Sequence, residues 1–101
     1  RETGSGMGST LNIAIGMDGY CLVDRGSWIS FNNKRSFEVL FEGAAVLSNQ
    51  YGVMLVNPLK HPHVNAKAGQ AFIDWLLGSV GQNAIAAYRV SGQQLFFPNA
   101  K

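Results

Sequence analysis

The sequence predicts an α/β fold class, with a mixed sheet and flanking helices. Helices are predicted where apolar residues recur at helical spacing behind a capping residue, and strands where short runs are rich in apolar, β-branched or aromatic residues. Because predicted helices stand between predicted strands, at least part of the sheet is expected to be parallel. The predicted strands are Tyr20–Val23, Phe37–Phe41, Gly52–Val56 and Gln94–Phe97.

The first half of the chain predicts two short helices. Ser9 or Thr10 can cap a helix that Gly19 ends, because a hydroxyl oxygen accepts a hydrogen bond from a first-turn N–H and glycine tolerates the backbone of a helix end. Asp24 can cap a second helix that continues through Ile29. The glycine-rich turn in front of the first helix is the most distinctive feature of the chain.

The second half predicts two longer helices in succession. Asn65 caps the first of them and Gly78 ends it. Ser79 followed by Gln82 is a capping-box pattern that opens the next helix, which continues to Tyr88. The apolar stripe of the first helix is expected to face the core, and it consists of Ala68, Ala71, Phe72, Trp75 and Leu76. Phe96 and Phe97 are also predicted to be core anchors.

Composition limits the classes of function that the chain can serve. Its 101 residues suffice for one domain with a single modest core. A net charge of +2 with scattered basic residues does not provide the footprint that nucleic acid requires. The single cysteine, Cys21, excludes an intrachain disulfide and is predicted to be a buried thiol. No apolar run reaches the length of a transmembrane helix, and no export leader is recognisable.

The glycine-rich turn offers donors to an anion. A helix start presents unpaired N–H groups and the positive end of the helix dipole, and Gly8, Ser9 and Thr10 lie at that point. The structural alternative is a turn that lets a helix pack closely on a sheet. The spacing of Gly4, Gly6 and Gly8 only loosely matches a dinucleotide fingerprint, because neither a preceding strand nor an acidic ribose partner is present.

Metal binding and catalysis have little support in the sequence. His61 and His63 could ligate a transition metal only if further ligands came from elsewhere, and none lies close in sequence. Cys21 lies in an apolar run, and the carboxylates show no paired spacing that marks an acid and a base. We therefore predict no catalytic residue, no metal site and no cofactor.

Several blocks, in order along the chain, resemble the C-terminal part of tungstate-binding periplasmic proteins, the solute receptors of tungstate ABC importers. These blocks are Met7-Gly8-Ser9-Thr10, Tyr51-Gly52-Val53, His61-Pro62-His63-Val64, Ala71-Phe72-Ile73-Asp74-Trp75-Leu76 and Gly92-Gln93-Gln94-Leu95-Phe96-Phe97. The resemblance implies part of a type II periplasmic-binding-protein fold, in which two α/β lobes enclose a cleft. Two motifs of such receptors, a Thr/Ser-rich turn and a later Arg-Gly-Asp/Asn-x-Ser-Gly-Thr type segment, are not in this sequence, which is expected to be cut from a longer protein.

The resemblance also implies a function. Residues from about 1 to 50 would belong to one lobe, and those from about 51 to 101 to the other. Gly8, Ser9, Thr10 and Tyr20 would donate to tungstate or a related oxyanion in the interlobe cleft, where Tyr20 is otherwise a core tyrosine. The implied partners are an ABC permease and either the remainder of the receptor or a second copy, and the implied location is the periplasm.

Two functions from other classes remain as alternatives. Effector domains of transcription regulators share the fold family, and a ligand-sensing or oligomerisation module is therefore the second candidate. A hydrolase half-domain is the third, and it would contain one residue of unusual reactivity towards a fluorophosphonate or iodoacetamide probe. The resemblance does not separate tungstate from molybdate, because the motifs that would do so are not in this sequence.

Overall fold

The computed structural model describes residues 1–100, which form two compact units, Arg1–Asn49 and 50–100. In the first unit the elements are α1 (Met7–Gly16), α2 (Arg25–Ser30) and a 3₁₀ turn (Ala45–Leu47). The second unit contains α3 (Ala66–Leu77), α4 (Ser79–Ala87), β1 (Arg89–Val90) and β2 (Gln93–Gln94). The described chain therefore has α/β content in which helices dominate, and the assignment of its two halves to two lobes stays a prediction.

Helix α1 begins earlier than the sequence predicts. Gly6 is the N-cap residue, so Ser9 and Thr10 lie in the first turn, and their predicted capping role is wrong. The helix also ends at Gly16, and Gly19 closes the following turn through its N–H, which donates to the carbonyl of Ala14 at 2.9 Å. Thr10 is unavailable as a cap because its hydroxyl contacts a residue in front of the helix.

The buried part of the first unit lies on α1. Leu11 and Ile15 are each 3% exposed, and their spacing of four residues puts them on one face of the helix. They are the only apolar side chains among residues 1–100 that are buried to this degree. The first unit therefore contains a very small core.

Helix α2 begins as predicted. The Asp24 carboxylate accepts a hydrogen bond from the N–H of Ser27 at 2.9 Å, which confirms Asp24 as the N-cap. Lys34 Nζ donates to the carbonyl of Phe31 and lies 5.1 Å from the centre of the Trp28 ring. A positive charge at this position satisfies a carbonyl at the helix C-terminus and complements the helix dipole.

Helix α3 has the predicted limits. The side-chain oxygen of Asn65 accepts from the N–H of Ala68 at 3.0 Å, and Gly78 ends the helix. The capping box predicted for α4 is wrong, because Gly78 is also the N-cap of α4 and Ser79 is already helical. The Gln82 side chain instead donates to the carbonyl of Leu76 at 2.7 Å, which ties α4 back to α3.

Glycine allows α3 and α4 to meet. Gly81 is buried, and a Cβ atom at this position would lie 2.1 Å from the carbonyl oxygen of Trp75. Gly69 on α3 is a milder case, since a Cβ there would lie 2.6 Å from Leu55 Cδ1, the end of a flexible side chain that can move aside. Close approach between the backbone of α4 and the end of α3 therefore depends on the absence of a side chain at position 81.

The sheet is a two-stranded antiparallel hairpin. Arg89 pairs with Gln94 and Val90 with Gln93. The two loop residues, Ser91 and Gly92, have φ values of 50° and 74°, the signs required by a type I′ turn. Within residues 1–100 no other strand is formed, so the predicted mixed sheet is not present in this chain.

Three of the predicted strands are wrong for the described chain. Tyr20–Val23, Phe37–Phe41 and Gly52–Val56 have no regular secondary structure, and Gln94–Phe97 overlaps β2 at Gln94 alone. A strand forms only when its N–H and C=O groups pair with a neighbour. Residues 1–100 supply no such neighbour, and Tyr20 is accordingly 91% exposed.

The aromatic residues predicted as core anchors are exposed. Phe72 is 58% and Trp75 45% exposed, although their rings stack with centroids 6.1 Å apart, and Phe96 and Phe97 are exposed as well. The less exposed positions of α3 are Ala66, Gly69, Ile73 and Leu76, and of these only Leu76 belongs to the predicted stripe. The prediction is therefore wrong for the other four members of the stripe, all of which are exposed.

The accessible surface is large for a protein of this mass. It amounts to 8074 Å² for 10.9 kDa. Two separate globular units of about 5.4 kDa each would together expose about 6,700 Å². The chain thus exposes roughly 1,400 Å² more than two independent compact units would. Among residues 1–100, no helix has both the length and the apolar character needed to cross a membrane.

Candidate functional site

The start of α1 is a helix terminus without a side-chain cap. Gly6 precedes the helix in an extended conformation, and no side chain accepts from its first-turn N–H groups. The first hydrogen bond of the helix runs from the N–H of Thr10 to the carbonyl of Gly6 at 3.0 Å. The N–H groups of Gly8 and Ser9 therefore lack an acceptor within the helix, and both residues are exposed.

The charge at this helix start suits an anion. The first turn contains no acidic residue that would compete with a ligand for the N–H groups. The aligned peptide dipoles add about half a positive charge at the N-terminus of the helix. Gly8 has no atom within 4 Å of its virtual Cβ position, so the approach to its backbone is open.

Thr10 differs from Gly8 and Ser9. It is half-buried, and its Oγ1 lies 2.7 Å from Thr3 Oγ1. The Thr10 hydroxyl thus has a partner inside the first unit, whereas the donors of Gly8 and Ser9 remain open. The three residues predicted as oxyanion ligands consequently fall into two groups.

A groove of about 300 Å³ lies beside α1 within the first unit. Thr10 and Tyr20 both line it, whereas Gly8 and Ser9 do not. Its other lining residues are Arg1, Thr3, Ile13, Ala14, Met17, Gly19, Cys21 and Leu22. The structure therefore brings Thr10 and Tyr20 together on one groove and leaves Gly8 and Ser9 at the open end of the helix.

Cys21 is half-buried and lines the groove, so its predicted full burial is wrong. Its Sγ lies 3.4 Å from the carbonyl oxygen of Leu22. The strand that would have enclosed this thiol is not formed in the described chain. The same cause therefore explains the exposure of Tyr20 and the partial exposure of Cys21.

The charged groups of the first unit support its local structure. Arg25 forms an ion pair with Glu42 at 3.0 Å, at an exposed position. Partial burial by itself raises the pKa of the Asp24 carboxyl, but the hydrogen bonds from Ser27 together outweigh it and hold that pKa below its ordinary value of 3.8. Asp24 thus serves as a charged helix cap.

The two histidines lie near each other in the second unit. The ring centroids of His61 and His63 are 6.1 Å apart, and the rings are nearly perpendicular. Among residues 1–100, no group of three or more His, Cys, Asp or Glu side chains could hold a metal ion.

One residue of this region, Thr3, has a contact that the sequence patterns did not indicate. Thr3 was not predicted to have a role, yet its side chain contacts the first turn of α1. Threonine side chains commonly form hydrogen bonds with backbone groups two residues away. Thr3 precedes Ser5 by two residues at the start of a glycine-rich turn, and this spacing could have indicated its contact.

Comparison with known proteins gives one family match and several curated relatives. A family profile described as a PBP superfamily domain matches residues 1–80. A putative ABC transporter anion-binding protein of Haloferax volcanii is 40% identical over 105 residues, covering 99% of this chain and 31% of that protein. The tungstate-binding protein TupA of Peptoclostridium acidaminophilum is 38% identical over 101 residues, covering 98% of this chain and 35% of that protein.

A third relative is the tungstate-binding protein TupA of Campylobacter jejuni, which is 30% identical over 105 residues, covering 100% of this chain and 39% of that protein. The chain thus spans about a third of the length of the curated relatives that it matches. No solved structure matches the chain at a significant level.

Proposed function

The chain belongs to the PBP superfamily, and from that premise we propose that it is part of the substrate-binding component of an ABC importer for tungstate or a related oxyanion. The names of its relatives support an anion as the ligand. The observation that carries the proposal is the uncapped start of α1, where Gly8 and Ser9 are exposed, their N–H groups have no acceptor within the helix, and the first turn contains no acidic residue.

The donors at this helix start are neutral, which suits a tetrahedral dianion. Backbone N–H groups and the Ser9 hydroxyl replace water molecules around the oxyanion, and the helix dipole stabilises its charge. Tyr20 adds a phenolic donor from the groove beside α1, and Thr10 lines the same groove. Discrimination between oxyanions then depends on cavity size and donor spacing, so sulfate is rejected as too small.

This chain contains only part of the site in our proposal. The remaining donors come from the other part of the receptor, and closure of two lobes around the anion signals the permease. The binding takes place outside the cytoplasm, where such a receptor meets its ligand. It needs no metal cofactor and involves no catalysis.

The exposed apolar surface supports a covering partner. The excess of roughly 1,400 Å² of total surface is similar to the area that a permanent interface buries on one partner. We infer that the remainder of the receptor covers the exposed aromatic residues of α3, and that a second copy takes its place when the chain is alone. Light scattering during size-exclusion chromatography tests this, and a rigid monomer without a partner would contradict it.

The test of the function is a calorimetric titration of the 101-residue chain with tungstate, with molybdate and sulfate run in parallel. Ser9→Ala is expected to weaken tungstate binding about tenfold or more, because a hydrogen bond to a charged group contributes about 1.5–3 kcal/mol. The matched control is Ser79→Ala, since Ser79 also lies in the first turn of a helix without a side-chain cap. Equal affinities for the two variants, or the absence of heat with tungstate, would refute the assignment of the site to α1.

A ligand-sensing or oligomerisation module of a regulator remains the second candidate function. The same groove would then bind an effector, and ligand would change the oligomeric state of the chain. Light scattering with and without tungstate separates the two, because a transport receptor binds its anion without a change in the number of copies that associate.

A further inference from the structure

Two threonine hydroxyls close the turn in front of α1. Thr3 Oγ1 and Thr10 Oγ1 are 2.7 Å apart, and both residues are half-buried. The N–H of Ser5 lies 3.4 Å from Thr3 Oγ1, and the carbonyl oxygen of Ser5 lies 3.5 Å from Thr10 Oγ1. The bond between the hydroxyls has an ideal length, and the two contacts to Ser5 are longer and weaker.

One assignment of the hydroxyl protons satisfies all of these contacts. Each hydroxyl has a single proton to donate. If Thr10 donates to the carbonyl of Ser5, Thr3 must donate to Thr10, and the Thr3 oxygen then accepts from the N–H of Ser5. The hydrogen bonds form a ring that begins and ends on the backbone of Ser5 and runs in one direction, so that each bond polarises the next.

We propose that Thr3 and Thr10 are positioning residues that hold the turn leading into α1, so that the N–H groups of Gly8 and Ser9 are in place before an oxyanion arrives. The inference rests on the proposed function, and it changes the role of Thr10 from a ligand to a support for the ligands. The turn needs support because Gly4 has a φ of +63°, and a glycine backbone adopts many other conformations about as readily. Ordering the turn in advance removes part of the entropy cost of binding.

The first measurement does not require a ligand. Backbone ¹⁵N order parameters of Ser5 and Gly6 are compared in the 101-residue chain and in Thr3→Val, Thr10→Val and the double variant. Valine retains the shape of threonine without the hydroxyl. Each single variant is expected to lower the order parameters, and the double variant to lower them by less than the sum of the two single effects, because the bond between the two hydroxyls is lost in all three variants. Thr3→Ser retains the hydroxyl and is expected to preserve them.

Unchanged order parameters in Thr3→Val, or additive losses in the double variant, would overturn the proposal. The second measurement follows the amide resonances of Gly8 and Ser9 during a titration with sodium tungstate, with sodium sulfate as the control. Thr3→Val is expected to raise the Kd about fivefold, in line with the net contribution of one hydrogen bond. Ser9→Ala is expected to raise the Kd without a change in the order parameters of the turn.

The two measurements distinguish failure of the inference from failure of the proposed function. Equal Kd values for the unchanged chain and Thr3→Val would overturn the positioning role and leave oxyanion binding intact. If the amides of Gly8 and Ser9 do not respond to tungstate, the proposed function fails for this chain. In that case the order parameters still decide whether the two threonines hold the turn.

Discussion

Gly81→Ala is expected to destabilise the second unit strongly. The new Cβ would lie 2.1 Å from the carbonyl oxygen of Trp75 and 2.9 Å from the Cα of Leu76, and both are backbone atoms that cannot rotate away. Relieving the overlap requires α4 to move by about an ångström relative to the end of α3, at an overpacking cost of about 3 kcal/mol. The higher helix propensity of alanine returns about 1 kcal/mol. The net loss is therefore about 2 kcal/mol.

The assay is urea unfolding of the 101-residue chain, followed by tryptophan fluorescence. A Trp28→Phe background in every variant leaves Trp75 as the single reporter, and Trp75 lies in the second unit. Far-UV circular dichroism of the same samples follows all the helices together.

The matched control is Gly16→Ala. Gly16 is also helical, but no atom lies within 4 Å of its virtual Cβ, so alanine is expected to stabilise α1 by about 0.5–1 kcal/mol. If Gly81→Ala were as stable as the unchanged chain, or were stabilised in the same way as Gly16→Ala, the close approach of α4 to the end of α3 would not exist.

The remaining predictions concern caps and turns. Asn65→Ala removes the cap of α3 and is expected to cost about 1 kcal/mol in urea unfolding, whereas Asn65→Asp retains an acceptor and should cost far less. Ser91→Asn, at φ +50° in a type I′ turn, is expected to stabilise the hairpin by a few tenths of a kcal/mol, and a loss as large as that from Ser91→Val would contradict the turn assignment. Because the pKa of Asp24 is lowered in the folded chain, its stabilising effect is complete above the unfolded pKa of about 3.9 and is lost as the pH falls through the folded pKa. Asp24→Asn is therefore expected to flatten the acid side of the profile of stability against pH, measured by thermal unfolding.

Helix ends were predictable from the sequence where the capping contact spans only a few residues. Asp24 and Asn65 each accept an N–H three residues ahead, and local sequence contains all the information for such a bond. The prediction failed at Ser9 because the helix already begins after Gly6, and at Ser79 because Gly78 ends one helix and caps the next. In both cases a glycine that lies before the predicted residue is the N-cap.

Strand prediction failed for a different reason. Periodicity and composition favour strands at Tyr20–Val23 and Phe37–Phe41, but a strand forms only when it pairs with another segment. The described chain pairs only β1 with β2, which are joined by a two-residue turn and need no distant partner. The unpaired segments therefore have the composition of strands, but residues 1–100 contain no segment that pairs with them.

Helix α3 has an apolar surface that residues 1–100 do not fully cover. Its sequence carries two apolar faces, one formed by Gly69, Ile73 and Leu76, which are partly buried, and one that carries the stacked and exposed rings of Phe72 and Trp75. A helix with a single core-facing stripe would leave a polar face to solvent. The second apolar face is therefore explained if another surface covers it, which agrees with a chain that spans about a third of the length of its relatives. The N–H groups at the start of α1 lack a helical acceptor in this chain whether or not another surface covers α3. Anion binding at the helix start can therefore be tested with this chain alone, whereas anion binding by the full cavity cannot.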